Sequence, residues 1–203
     1  MKTRFQALKA RTTGLTLIEI LVGLSVLGII LAVAIPSMAD LLEKRRVTAA
    51  AEEVAGIITY AKAETVVNNS QLFVRFDPHS SMSCAMVVTS GSSNSCRCYR
   101  PADDLCPNTS SRSLRLFQLP KSHVSFKAFA TQWAAGANYI RFSREQMELD
   151  TQGFEVDVMG LSKGYTLRVK VNTVGRVSIC APKAARNPAA GVPFAQMTGY
   201  PIC

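Results

Sequence analysis

Between Gly14 and Pro36 the chain reads G-LTLIEILVGLSVLGIILAVAI-P, an apolar run of membrane-helix length with one acid, Glu19, near its start. As a helix, Leu15 to Ile35 rises about 1.5 Å per residue to roughly 30 Å, the thickness of a bilayer's hydrocarbon core. The preceding MKTRFQALKARTTG holds Lys2, Arg4, Lys9 and Arg11 and no acid. By the positive-inside rule such a leader stays cytoplasmic and everything after Pro36 is exported. A carboxylate in the apolar part of a membrane helix costs roughly 2.5 to 3.5 kcal/mol on insertion scales. Glu19 therefore either sits at the headgroups or meets a partner.

The G-LTLIE run behind a short basic leader resembles the processing site of type IV prepilins and pseudopilins. That resemblance implies cleavage between Gly14 and Leu15 by a membrane-embedded prepilin peptidase, followed by methylation of the new N-terminus at Leu15. Glycine suits the cut because it enters a narrow site without a side chain. The resemblance also implies that Glu19 pairs with the charged N-terminus of a neighbouring subunit, so that its desolvation is compensated only in the filament. Pro36 matches a helix-kinking proline of the family, whereas Leu15 stands where phenylalanine is more usual. An ordinary secretory signal peptide is the alternative, with Ala32-Val33-Ala34 or Ser37-Met38-Ala39 as the cleavage site. Its apolar region would exceed the usual ~7 to 15 residues and would not call for Glu19.

Without the leader's four cations the formal charge falls from +9 to +5. All six cysteines, Cys84, Cys96, Cys98, Cys106, Cys180 and Cys203, follow the anchor, where an oxidising compartment favours disulfides. Cys96-Arg97-Cys98 with Cys84 and Cys106 has neither a C-x2-C spacing nor an internal histidine, so no metal is expected. Six cysteines permit fifteen pairings and sequence does not choose among them. Cys180 with Cys203 is the preferred pair, because it would tie the tail KAARNPAAGVPFAQMTGYPIC back to the last strand.

Past Pro36 the helical pattern continues. Val47, Ala50, Ala51, Val54, Ile57, Ile58, Ala61 and Thr65 share one stripe, with Arg45, Arg46, Glu52, Glu53 and Glu64 opposite or at its edge. Asn68, Asn69 and Ser70 compete for backbone hydrogen bonds and end the helix. Short runs rich in β-formers follow: LFVRF (72–76), CAMVV (84–88), LRLFQL (114–119), VSFKAF (124–129), YIRF (139–142), FEVDV (154–158), YTLRVKV (165–171) and RVSIC (176–180). Separated by Ser, Gly, Asn and Pro, they predict antiparallel sheet. Tyr165, Leu167, Val169 and Val171 alternate with Thr166, Arg168 and Lys170, which predicts a half-buried strand with a basic open face. The expected class is α+β: a long N-terminal helix, transmembrane in its first half and amphipathic in its second, packed on an antiparallel β-rich head. The expected divisions are a leader over 1–14, a transmembrane or filament-core helix over 15–36, an amphipathic half over 37–70 and a head over 71–203.

This layout, with AKAETVVNNSQLFVRF, SNSCRCYR and VNTVGRVSICAP before a GVPFAQMTGYPIC ending, resembles the GspH/FimT branch of the pilin superfamily. The branch implies a minor pseudopilin of a type II secretion filament or a minor pilin of a type IV pilus, some of which bind DNA for uptake. Its partners would be the prepilin peptidase, other minor and major pilins or pseudopilins, and the inner membrane. The subunit would cross that membrane once, head in the periplasm, before joining a filament near its tip. DNA contact would fall to Arg168, Lys170, Arg176, Lys183 and Arg186 as phosphate ligands. DNA-binding members carry a second arginine where this chain has Ser178, and the bland reading of the five cations is a solvated rim. Trp133 and Tyr200 are the aromatics that could stack on bases, although such residues more often anchor a core or loop.

Catalysis finds little footing. His79 and His123 sit in no nucleophile or acid–base pattern, and Glu145, Glu148 and Asp150 read as a solvated acidic cluster. No cofactor and no enzymatic role are expected.

Overall fold

A computed structural model describes residues 14, 16–89, 96–107, 110–130, 138–142, 153–186 and 189–203. The side chains of Pro36, Pro78 and Ala130 are outside that description, as are Leu15, Trp133, Glu145, Glu148 and Asp150. Helix α1 (Leu17–Asn68) precedes strands β1 (Leu72–Pro78), β2 (Met82–Val88), β3 (Ser113–Pro120), β4 (Val124–Ala130) and β5 (Tyr139–Phe142). Strands β6 (Phe154–Gly160), β7 (Tyr165–Val171), β8 (Val177–Cys180) and β9 (Ala195–Gln196) follow. The chain divides into two units between Ala39 and Asp40.

In the first unit α1 is apolar on all sides, and its large side chains are exposed in the single chain, from 48% at Leu31 to 82% at Leu17. A helix with no polar face needs lipid or other protein around it.

From Asp40 onward α1 belongs to the second unit, and its predicted stripe is buried there: Val47, Ala50, Ala51, Val54, Ile57, Ile58 and Ala61 are 0–4% exposed. Alanines at three of these positions let the helix come close to the strands. Asn69, with φ of 50°, ends the helix in the left-handed conformation that asparagine tolerates.

Two sheets share this core. The first runs β3-β2-β1-β5, and the second runs β4-β6-β7-β8 with β9 also on β7. Every pairing is antiparallel except that of β9, which is parallel to β7. Leu72, Val74, Phe76, Ala85, Val87, Ile140 and Phe142 of the first sheet meet Phe126, Phe154, Val156, Val158, Leu167, Val169 and Val171 of the second in one cluster with the helix. Where the sheets adjoin, the buried hydroxyl of Ser83 accepts the Phe126 N–H at 3.0 Å, giving the outer edge of β4 a partner.

Strand β2 is buried on both faces because the cysteine-rich loop lies against its other side. Phe73, Cys84, Met86 and Val88 form a second cluster with Cys96, Cys98 and Leu105. Buried Asp77 fixes that loop by accepting the Cys98 N–H at 2.9 Å and Arg97 Nη1 at 3.1 Å. Disulfides join Cys84 to Cys98, Cys96 to Cys106 and Cys180 to Cys203.

Candidate functional site

The start of α1 is built by Thr16. Its carbonyl accepts the Glu19 and Ile20 N–H groups at 3.1 and 3.2 Å, and its Oγ1 accepts the Glu19 N–H at 3.3 Å. Thr16 is thus the N-cap, and Thr16-Leu17-Ile18-Glu19 has the T-x-x-E spacing of a capping box, with the acid at the positive end of the helix dipole. That spacing is legible in the sequence and locates the first turn. It also gives Glu19 a local electrostatic benefit in addition to any partner. Glu19 is exposed, and no cation among the described residues reaches it. Gly14 is exposed and outside any element, two residues before the cap. Pro36 lies within α1, where its missing N–H leaves one helix bond unmade.

The second region is the outer face of the second sheet. Cross-strand register sets Glu155, Lys170 and Ser178 in one row and Asp157, Arg168 and Cys180 in the next. The expected open basic face of β7 requires correction here. Thr166 is fully buried and Arg168 only 8% exposed, because the chain after Cys180 returns across this face. Arg168 donates to both oxygens of Asp157, Nε at 2.5 Å and Nη2 at 2.9 Å, and to the Ala184 carbonyl at 3.3 Å. The Arg186 N–H donates to Asp157 at 3.1 Å. The Asp157 contact raises the guanidinium pKa of Arg168 further, against the cost of burial.

Glu155, also buried, draws in the neighbouring cations: Arg186 at 3.0 Å, Arg168 at 3.5 Å and Lys170 at 3.6 Å. Three of the five expected phosphate ligands, Arg168, Lys170 and Arg186, are therefore engaged by two carboxylates of β6. Arg176 and Lys183 are exposed, and neither has a carboxylate partner among the described residues. Tyr200 packs at the rim of the core, while Trp133 lies outside the described residues.

A third device went unanticipated. Glu43, one turn into the second unit, is 5% exposed and accepts the Ser162 N–H at 3.0 Å and the Lys163 N–H at 2.9 Å in the β6–β7 turn. Beside it Asp40 accepts the Tyr165 hydroxyl and pairs with Lys44, each at 2.7 Å. These bonds, Lys44 first and Tyr165 second, hold the Asp40 carboxyl below its ordinary value.

A cavity of about 380 Å³ is lined by Asp77, Ser83, Lys121, Lys127 and Asp157 among others. Both carboxylates in it are already occupied, Asp77 by Arg97 and Cys98 and Asp157 by Arg168 and Arg186. On an exposed turn Ser81 Oγ lies 2.9 Å from His79 Nδ1, with the ring stacked on Tyr99. No carboxylate among the described residues orients that histidine, the third part a nucleophilic triad requires. The Glu145, Glu148 and Asp150 cluster lies outside the described residues.

A long apolar helix leading into an α+β head of antiparallel sheets is the architecture of the type IV pilin-like proteins. A model of the family described as Type II transport protein GspH matches residues 50–175, more than half of the chain. The chain belongs to that family, whose members are pseudopilins of type II secretion, structural subunits rather than enzymes. No curated protein and no solved structure gives a significant match.

Proposed function

We propose that the chain is a minor pseudopilin anchored in the inner membrane by Leu15 to Pro36, head in the periplasm, and assembled near the tip of a type II secretion filament. The observation that carries this reading is the first half of α1. It is apolar on every side, exposed in the single chain, and bears its one acid in the first turn. Such a surface is satisfied first by lipid and then by the helices of other subunits, so assembly extracts the subunit from the bilayer. The family match begins at residue 50, so processing after Gly14, methylation at Leu15 and the roles of Glu19 and Pro36 rest on the motif. Pairing of Glu19 with a neighbour's N-terminus fits its exposed carboxylate.

DNA uptake has less support. With Arg168, Lys170 and Arg186 held by Glu155 and Asp157, a phosphate would have to displace carboxylates already in place. Two variants test the assembly reading. Gly14→Val leaves unprocessed precursor in the membrane, and mature-sized product in that variant would rule out the peptidase. Glu19→Val inserts normally yet fails to enter filaments beside wild-type partners. Undiminished incorporation would remove the acid from the contact.

A further inference from the structure

Among the described residues, strand β8 has an open edge. Asn172 N–H donates to the Arg176 carbonyl at 3.1 Å, and antiparallel alternation then turns the backbone groups of Ser178 and Cys180 towards β7. Those of Val177, Ile179 and Ala181 turn away. Ala181 confirms the parity: its N–H donates to the Pro201 carbonyl at 2.8 Å, and its carbonyl accepts the Cys203 N–H at 3.2 Å. For Val177 and Ile179 no such partner exists among the described residues, which leaves two N–H and two C=O groups on the edge where Ala181 bridges to Ile202.

A groove of about 510 Å³ extends from β6 across β7 to β8 and the chain end, lined by Glu155, Lys170, Arg176, Ser178, Ile179 and Ile202 among others. Backbone groups unpaired along a strand edge are a template for one more strand.

The chemistry of the two faces selects the guest. Alternate side chains of an added strand would lie on opposite faces. One set meets Val177 and Ile179, half-buried at the rim of the core. The other meets the face of Ser178, where the cations left without a carboxylate partner among the described residues are the exposed Arg176 and, past the end of the strand, Lys183. A second copy of β8 would bring another Arg176 and Lys183 to the same edge, so like charge disfavours self-pairing.

We infer that the β8 edge takes up an extended segment of another protein that alternates apolar and acidic side chains, adding a strand to the second sheet. This site does not depend on where in a filament the subunit stands.

The test uses the full chain in detergent micelles with a short blocked peptide alternating valine and glutamate. Binding is read by fluorescence anisotropy and by amide exchange at Val177 and Ile179, with the lysine analogue and a duplex oligonucleotide as comparison probes. The glutamate peptide binds and slows exchange at both amides. Ile179→Pro removes a donor not used towards β7 and weakens binding about tenfold. Arg176→Glu, at an exposed position that leaves the fold intact, weakens it roughly fivefold. Equal binding of the lysine analogue, unchanged exchange at the two amides, or binding indifferent to both variants overturns the proposal. So does slowed exchange that follows protein concentration without peptide, which would mean self-pairing. Duplex binding in the absence of peptide binding also overturns it and assigns Arg176 to phosphate.

Discussion

The backbone N–H of Lys163 lies 2.9 Å from each carboxylate oxygen of Glu43, a residue 120 positions earlier in the chain. One acid thus ties the amphipathic half of α1 to the turn between the two central strands of the second sheet. Gly160 makes the approach possible, because a Cβ there would collide with the Glu43 carboxylate. Glu43→Ala should cost about 2 kcal/mol, the scale of hydrogen bonds to a buried charged group. Gly160→Ala should cost a comparable amount in the wild-type chain and much less beside Glu43→Ala. A double-mutant cycle by urea unfolding checks this, and additive costs would mean that the two residues do not meet.

Asp157 poses a sharper electrostatic question, since it and Arg168 are both buried. Asp157→Asn leaves a guanidinium facing only Glu155 and a backbone carbonyl, and should destabilise the chain by roughly 3–5 kcal/mol. Replacing the pair together, Asp157→Leu with Arg168→Met, should recover much of that loss, because no uncompensated charge stays behind. A double variant as unstable as Asp157→Asn would show that the pair itself, and not the stranded charge, sets the cost.

The contrast between these residues and the helix stripe shows what the sequence makes legible. The stripe from Val47 to Ala61 and the strand YTLRVKV follow from period, and YIRF from its β-forming residues, because each faces a core whose side is set by neighbours a few residues away. Period also said that Arg168 faces water. It does not, since Ala184 and Arg186 cover it, and nothing in the alternation of β7 records that the chain returns. Glu43 fails for the same reason. Beside Lys44, Arg45 and Arg46 it reads as a solvated acid, and its amide partners lie far along the chain. Strand β9, at two residues, is too short to carry a period. At the helix start the signal is local, in the T-x-x-E spacing of Thr16 and Glu19, although reading Glu19 only for its charge, as above, passes over the cap.

Asp40 supplies the pH dependence. Its folded-state pKa is depressed by Lys44 and by the Tyr165 hydroxyl, so its contribution to stability is fully present above the unfolded value near 3.8. That contribution is lost as pH falls through the lower folded value. Thermal midpoints of wild type and Asp40→Asn should therefore differ at pH 6 and converge only once the pH has fallen below 3.8 and through the depressed folded value. A gap that widens in acid would contradict the direction of the shift.

The disulfide between Cys180 and Cys203 closes a loop with a sequence separation of 23 and holds the tail beside Ala181. In the chain-entropy model a loop of this length contributes about 3 kcal/mol, and Cys180→Ser with Cys203→Ser should lose about that much. Loss of the covalent tie also weakens the two backbone bonds at Ala181, so its amide should exchange faster while the amides of Arg168 and Lys170 stay protected by β8. Proteolysis should then enter the segment from Ala189 to Tyr200 before it touches the sheets. If the variant keeps wild-type stability and the Ala181 amide stays protected, the tail is held by Met197, Tyr200 and the β9 pairing rather than by the disulfide.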